Sequence, residues 1–157
     1  MHPSAQKVKQ AAETFGLTID IVEFAQTTRT AQEAAEAIGC DVAQIVKSLC
    51  FKVNDTAVMA LVSGANQLDE RKLAGLCGVG RKKVKRADAD FVKSQTGFSI
   101  GGVPPFGHAH PLSIYIDEEL MSFDIVWAAA GTPFTVFALS SIELQSASKG
   151  KVADLKK

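Results

Sequence analysis

A chain of 157 residues with 46% apolar, 22% charged and 7% aromatic side chains has the composition of an ordinary globular protein. It is long enough to bury roughly 70% of the surface its unfolded form exposes. Apolar runs reach only six residues, as from Ala57 to Val62, against the ~20 needed to cross a bilayer. Three widely spaced cysteines (Cys40, Cys50 and Cys77) without a CxxC fit neither a disulfide framework nor a zinc finger. No apolar stretch follows the early lysines, as a secretory leader would require. The expectation is a cytoplasmic protein with reduced thiols, no membrane association and no cofactor.

Seventeen basic and seventeen acidic residues cancel overall, but not locally. Arg71, Lys72, Arg81, Lys82, Lys83, Lys85 and Arg86 follow one another with no acid between them, which leaves the rest of the chain acidic. Such a division suits a face that meets a polyanion, by steering and counterion release. A solvated surface strip would have the same composition.

In chain order, a helix is expected from about Ser4 to Phe15, with Ser4 as cap and Gly16 as stop. A short β-prone run follows from Ile19 to Phe24. Thr30-Ala31-Gln32-Glu33 is a capping box, and its helix ends at Gly39. After a turn capped by Asp41, Ile45 to Val53 reads as a strand, Asn54-Asp55 as a turn and Thr56 to Ser63 as a buried return strand. Helices are expected from Leu68 to Leu76 and from Ala87 to Ser94. Strands are expected near Ser113 to Ile116, Ile125 to Ala129 and Phe134 to Leu139, then a last helical turn from Ser140. Residues 146–157 read as a polar tail. No repeat or linker divides the chain, so a single α+β domain is expected over residues 1–157, its core at about 4–145.

Two segments stand out chemically. On the first strand, Lys47 shares a face with Ile45, Leu49, Phe51 and Val53. A lysine in that register either snorkels at a sheet edge or points into a pocket. The second segment, Thr96 to Gly107, holds four glycines and two prolines. Gly101 and Gly102 have no side chain to fend off a ligand, and Pro104 and Pro105 stiffen the chain beyond them. The segment is either a structural turn or a set of backbone donors for a carbonyl oxygen. There is no GxSxG, HExxH or P-loop, and His108 and His110 lack further ligands at useful spacing, so no metal site is expected.

The capping-box helix, Ile45-Val46-Lys47-Ser48-Leu49, the buried strand from Ala57 to Ser63 and the run Gly101-Gly102-Val103-Pro104-Pro105-Phe106-Gly107 together resemble the YbaK/ProX family. These are aminoacyl-tRNA deacylases related to the editing domain of bacterial prolyl-tRNA synthetases. The resemblance covers about residues 4–145. Its diagnostic pieces are the strand lysine, matched by Lys47, and a GxxxP motif, matched by Gly101 to Pro105.

The resemblance implies a mixed, barrel-like sheet flanked by helices. It implies a freestanding editor that hydrolyses mischarged tRNA in trans, with tRNA as partner and transient contact with a synthetase. Lys47 would face the 3′-terminal phosphates or ribose, while Gly101 and Gly102 would offer N–H groups to the aminoacyl carbonyl. Arg71, Arg81, Lys82, Lys83, Lys85 and Arg86 would bind tRNA. Thr28, Thr30, Ile45, Val103, Pro105, Ala128 and Ala129 would line the substrate pocket. The cysteine-directed branch carries a Ser and an Asp where this chain has Ala129 and Val136, and the late His of the alanine-directed branch is missing. A small or hydroxylated amino acid is therefore expected. The competing expectation is a non-catalytic tRNA- or small-ligand-binding module of the same fold.

Overall fold

The computed structural model describes residues 1–25 and 30–157. Capping chemistry sets the helix boundaries. α1 spans Pro3–Thr14, with proline in its first turn, and α2 (Ala31–Ile38) starts where Thr30 accepts the Glu33 N–H. Asp69, Asp88 and Ser140 cap α3 (Glu70–Cys77), α4 (Ala89–Thr96) and α5 (Ser141–Ser148) in the same way.

The central hairpin joins β2 (Val46–Val53) to β3 (Thr56–Ser63) through Asn54 and Asp55, whose φ values of 48° and 67° suit a two-residue turn. That turn fixes the register, pairing Lys47 with Val62 and Phe51 with Val58. β4 (Val84–Arg86) extends the sheet on the far side of β2, pairing only with Phe51–Val53. On the other edge β5 (Ser113–Asp117) runs parallel to β3, and β8 (Lys151–Ala153) parallel to β5. A second sheet has the order β1-β7-β6, built from Ile21–Glu23, Thr135–Ser140 and Ile125–Ala129.

β3 is buried along its length from Ala57 to Ser63, because both faces of the larger sheet are covered. Val46, Cys50, Met59, Leu61, Ile114 and Ile116 pack toward α1, α5 and the smaller sheet. Phe51, Val53, Val58, Ala60 and Val62 pack under α3 with Leu73 and Leu155.

Two expectations need correction. The sheet does not close into a barrel, because closure needs an unbroken ladder. Here the only main-chain link between the sheets among the described residues is the Ile45–Trp127 bridge, after which β6 and β2 separate. Residues 146–157 are not a tail either. They finish α5, add β8 to the sheet and bury Leu155 completely. Asp69 donates its N–H to the Leu155 carbonyl at 2.8 Å, and Lys157 donates to that of Gln67 at 2.9 Å. A polar composition hid one apolar anchor.

Candidate active site

The separation of β2 from β6 leaves part of the β2 edge without a neighbouring strand, and a cavity of about 700 Å³ opens there. β4 covers only Phe51–Val53, with one more bond from the Ala87 N–H to the Cys50 carbonyl at 3.1 Å. In an antiparallel ladder, successive residues direct their main-chain groups to opposite sides. Ser48 has the parity of Cys50, so its main-chain N–H and C=O point across the open edge rather than to β3. Its side chain lies on the face of Val46 and Cys50. The Ser48 Oγ is buried with no hydrogen-bond partner among the described residues, an arrangement that native proteins rarely leave unexplained.

Lys47 lies at the rim of this cavity, half-buried beside Leu49 and Arg86. Its Nζ donates to the main-chain carbonyl of Asn66. Burial lowers its pKa, the Arg86 charge lowers it further, and Asp117 raises it. Arg86 is held by its guanidinium over the Phe51 ring, 5.6 Å from the centroid. Two cations thus flank the opening.

The opposite wall is the glycine-proline loop. Its ends are anchored by Phe98 and Phe106, both buried, and Phe106 meets Phe15 and Phe137 edge-on. His108 Nε2 lies 2.7 Å from the Pro104 carbonyl, and burial lowers the pKa of this imidazole. Gly101 has φ +89° and lines the cavity together with Val103. Neither N–H has an acceptor among the described residues.

Gly102 does not fit the donor role expected of it. Its N–H is already bound to the Ser99 carbonyl at 3.0 Å, and its own carbonyl accepts from Gly131 at 2.9 Å. A Cβ here would lie 2.7 Å from the Thr132 backbone, so glycine is required by close packing. Pro105 is also displaced from its expected place. It is buried beneath the loop and lines neither compartment of the cavity, because the turn after Val103 carries the chain inward toward Phe106.

A smaller compartment of about 120 Å³ adjoins the first, bounded by Ile45, Ala128, Ala129, Thr132 and Val136. Thr30 borders both compartments while capping α2, and Ala129 also belongs to both. Thr28 lies outside the described residues. The Thr132 and Thr135 hydroxyls are 2.7 Å apart and engage one another, while Thr30 and Lys47 also border this compartment beside its apolar side chains. No carboxylate or imidazole lines either compartment among the described residues, and none of their His, Cys, Asp or Glu side chains gather in threes as a metal would need. Cys50 borders the larger compartment as a thiol whose pKa burial raises.

The basic strip runs outward from the cavity. Arg86 is in its wall, Lys85 on β4 is exposed, and Lys82 and Lys83 are exposed on the 3-10 turn before β4. Arg81 pairs with Glu70 at 2.9 Å, and Lys72 with Asp154 at 2.8 Å. Arg71 is exposed on α3, beside a smaller depression that it shares with Arg81. Sequence reasoning missed Ser48 and Asn66. Ser48 follows Lys47 directly, but only the open edge reveals its orphaned hydroxyl.

Residues 25–147 match the model of the aminoacyl-tRNA editing domain. The chain belongs to that family. It is 34% identical over 134 residues to the uncharacterized protein YwhH of Bacillus subtilis, covering 85% of this chain and 83% of the relative. Over 127 residues it is 28% identical to a protein of Enterococcus faecalis provisionally named Cys-tRNA(Pro)/Cys-tRNA(Cys) deacylase EbsC, covering 80% and 76%. Matches to proline–tRNA ligases are partial: against that of Thermoanaerobacter sp. strain X514, identity is 32% over 97 residues, which is 62% of this chain and 17% of the ligase. Among solved structures, one described provisionally as a trans-editing enzyme for prolyl-tRNA synthetase superposes with a TM-score of 0.94 at 46% identity, over 100% of this chain and 99% of the other.

Proposed function

We propose that this editing-domain protein is a trans-acting deacylase that hydrolyses the ester of tRNA charged with a small or hydroxylated amino acid. The observation that carries the reading is the pair of uncommitted N–H groups on Gly101 and Val103, two residues that line a cavity also lined by Lys47 and Arg86. Water adds to the aminoacyl carbonyl, the ester C–O bond breaks, and the ribose hydroxyl leaves with the proton. Negative charge develops on the carbonyl oxygen, and preorganised backbone donors stabilise it where water is excluded. Lys47 and Arg86 meet the terminal phosphates and hold the ester in place.

No side-chain base lines the cavity among the described residues, so a positioned water and the substrate's own neighbouring hydroxyl take that role on an already activated ester. The compartment of about 120 Å³ admits a small side chain. Its limited volume discriminates by size, at about 1–3 kcal/mol per methylene where apolar side chains are met. The names of the provisional trans-editing enzyme and of EbsC support this reading. Deacylation of tRNA(Pro) charged in turn with alanine, serine, threonine and cysteine tests it. Turnover of at least one is expected. No turnover with tRNA binding intact would instead identify a binding module.

A further inference from the structure

We propose that Asn66 is a positioning residue for Lys47, itself set in place by the carboxylates of Asp117 and Glu119. This rests on the functional reading above only for its consequence in catalysis.

Asn66 sits in the loop after β3 and is almost wholly buried. Its main-chain carbonyl accepts the Lys47 ammonium, while its amide Nδ2 donates to Asp117 Oδ2 at 2.9 Å and to Glu119 Oε2 at 2.6 Å. Both amide hydrogens are thereby used, and only the NH₂ end of the side chain can face two carboxylates. The two bonds hold the side chain to β5 and the turn after it, and so restrain the loop segment that presents the carbonyl.

Asp117 is fully buried at the end of β5, and it also accepts the N–H groups of Ser63 and Glu119, each at 3.1 Å. Behind it, Lys156 reaches Glu119 Oε1 at 2.9 Å. The chain of contacts therefore runs from Lys156 through Glu119 and Asn66 to Lys47.

A loop needing only to be closed could rely on the Ser63 and Glu119 N–H bonds. The extra amide bridge ends on the one carbonyl that holds an ammonium at the cavity rim. The charged groups around Lys47 are Arg86 from β4, which opposes its protonation, and Asp117 from β5, which favours it. Glu119 and Lys156 lie behind Asn66 and pair with each other.

The test follows the Lys47 Cε–Hε NMR signal of the full chain against pH, assigned by its loss in Lys47→Met. Asp117→Asn and Asn66→Ala are each expected to lower the Lys47 midpoint by about half a unit or more. The alkaline limb of deacylation should move by the same amount. Should Asp117→Asn fail to fold, Asn66→Ala decides alone, since it retains the carboxylate and its main-chain bonds. A folded variant whose Lys47 midpoint matches wild type overturns the proposal. Shifted midpoints in a protein that turns over no charged tRNA would uphold the positioning and reject the deacylase reading.

Discussion

Gly102 gives its N–H to the Ser99 carbonyl at 3.0 Å, which leaves that of its neighbour Gly101 free to face the cavity. Adjacent glycines therefore have different reasons to be glycine. At Gly101 a Cβ meets nothing closer than 3.6 Å, from Pro133, but φ is +89°. At Gly102 a Cβ would strike the Thr132 backbone at 2.7 Å.

Gly101→Ala is expected to fold but, because a Cβ disfavours φ +89°, to turn its N–H away from the cavity and so lose single-turnover deacylation by on the order of 10²-fold, as loss of one oxyanion donor does. Val103→Ala keeps its N–H and should remain within about tenfold of wild type. Circular dichroism alongside the assay confirms folding. Wild-type turnover in Gly101→Ala would remove the loop from the mechanism.

Gly102→Ala should fail differently. Backbone atoms cannot yield as a flexible side chain does, so about 1–3 kcal/mol of stability is expected to go. Thermal unfolding reads this directly, and an unchanged Tm would contradict the close packing.

Ser48→Ala removes a hydroxyl that bonds to nothing in the protein among the described residues. Stability should stay level or rise slightly, since an unsatisfied buried group is being deleted. If the hydroxyl serves the substrate, discrimination between seryl- and alanyl-tRNA should shift about tenfold while kcat on the preferred substrate holds. Identical ratios of kcat/KM in the two proteins would exclude Ser48 from recognition.

Lys47 is expected to couple pH to stability and to deacylation with opposite signs. Burial, the largest influence, lowers its pKa below that of a solvated lysine. The folded state therefore binds this proton less readily than the unfolded one. The resulting penalty on stability is full below the folded pKa and fades as pH rises through it toward the unfolded value. Activity that needs the ammonium falls over the same window. Lys47→Met should thus lose deacylation by at least about tenfold yet unfold no earlier than wild type at neutral pH. A large drop in Tm would mark this lysine as structural.

Lys82, Lys83 and Lys85 are exposed and carry no ion pair among the described residues, unlike Arg81. Replacing all three with glutamine should weaken binding to charged and uncharged tRNA alike. The slope of log K against log salt should flatten by about 0.7–0.9 for each phosphate that is no longer neutralised. An altered amino-acid preference at constant slope would give the strip another role.

Much of the fold was legible because it is written locally. Asn54-Asp55 announces its hairpin, and Thr30, Asp69 and Ser140 announce their helices, through turn and capping chemistry that spans a few residues. Lys47 and Gly101 could be singled out for the same reason. β4 escaped notice because Val84-Lys85-Arg86 has one inward side chain and depends on β2 to be a strand at all. β8 escaped because it depends on β5 and on Leu155 reaching a distant core. The grip on Asn66 joins residues 51 and 53 positions apart, and no periodicity reports such a contact. Gly102 was misread because spacing cannot tell a free N–H from one spent on Ser99.

The cavity beside Ser48 is bounded on one side by an interrupted ladder and on the other by the core. Of its lining, Ser48 and Ala129 are only partly buried, whereas Val46, Cys50, Val92 and Val103 are buried members of the main core. Exchanging Ser48 or Ala129 therefore disturbs few packed neighbours, whereas exchanging Val46 or Val92 reaches into the core. The shape of the cavity can thus change one residue at a time from its edge side at little cost in stability, while changes from the core side are held in check by packing.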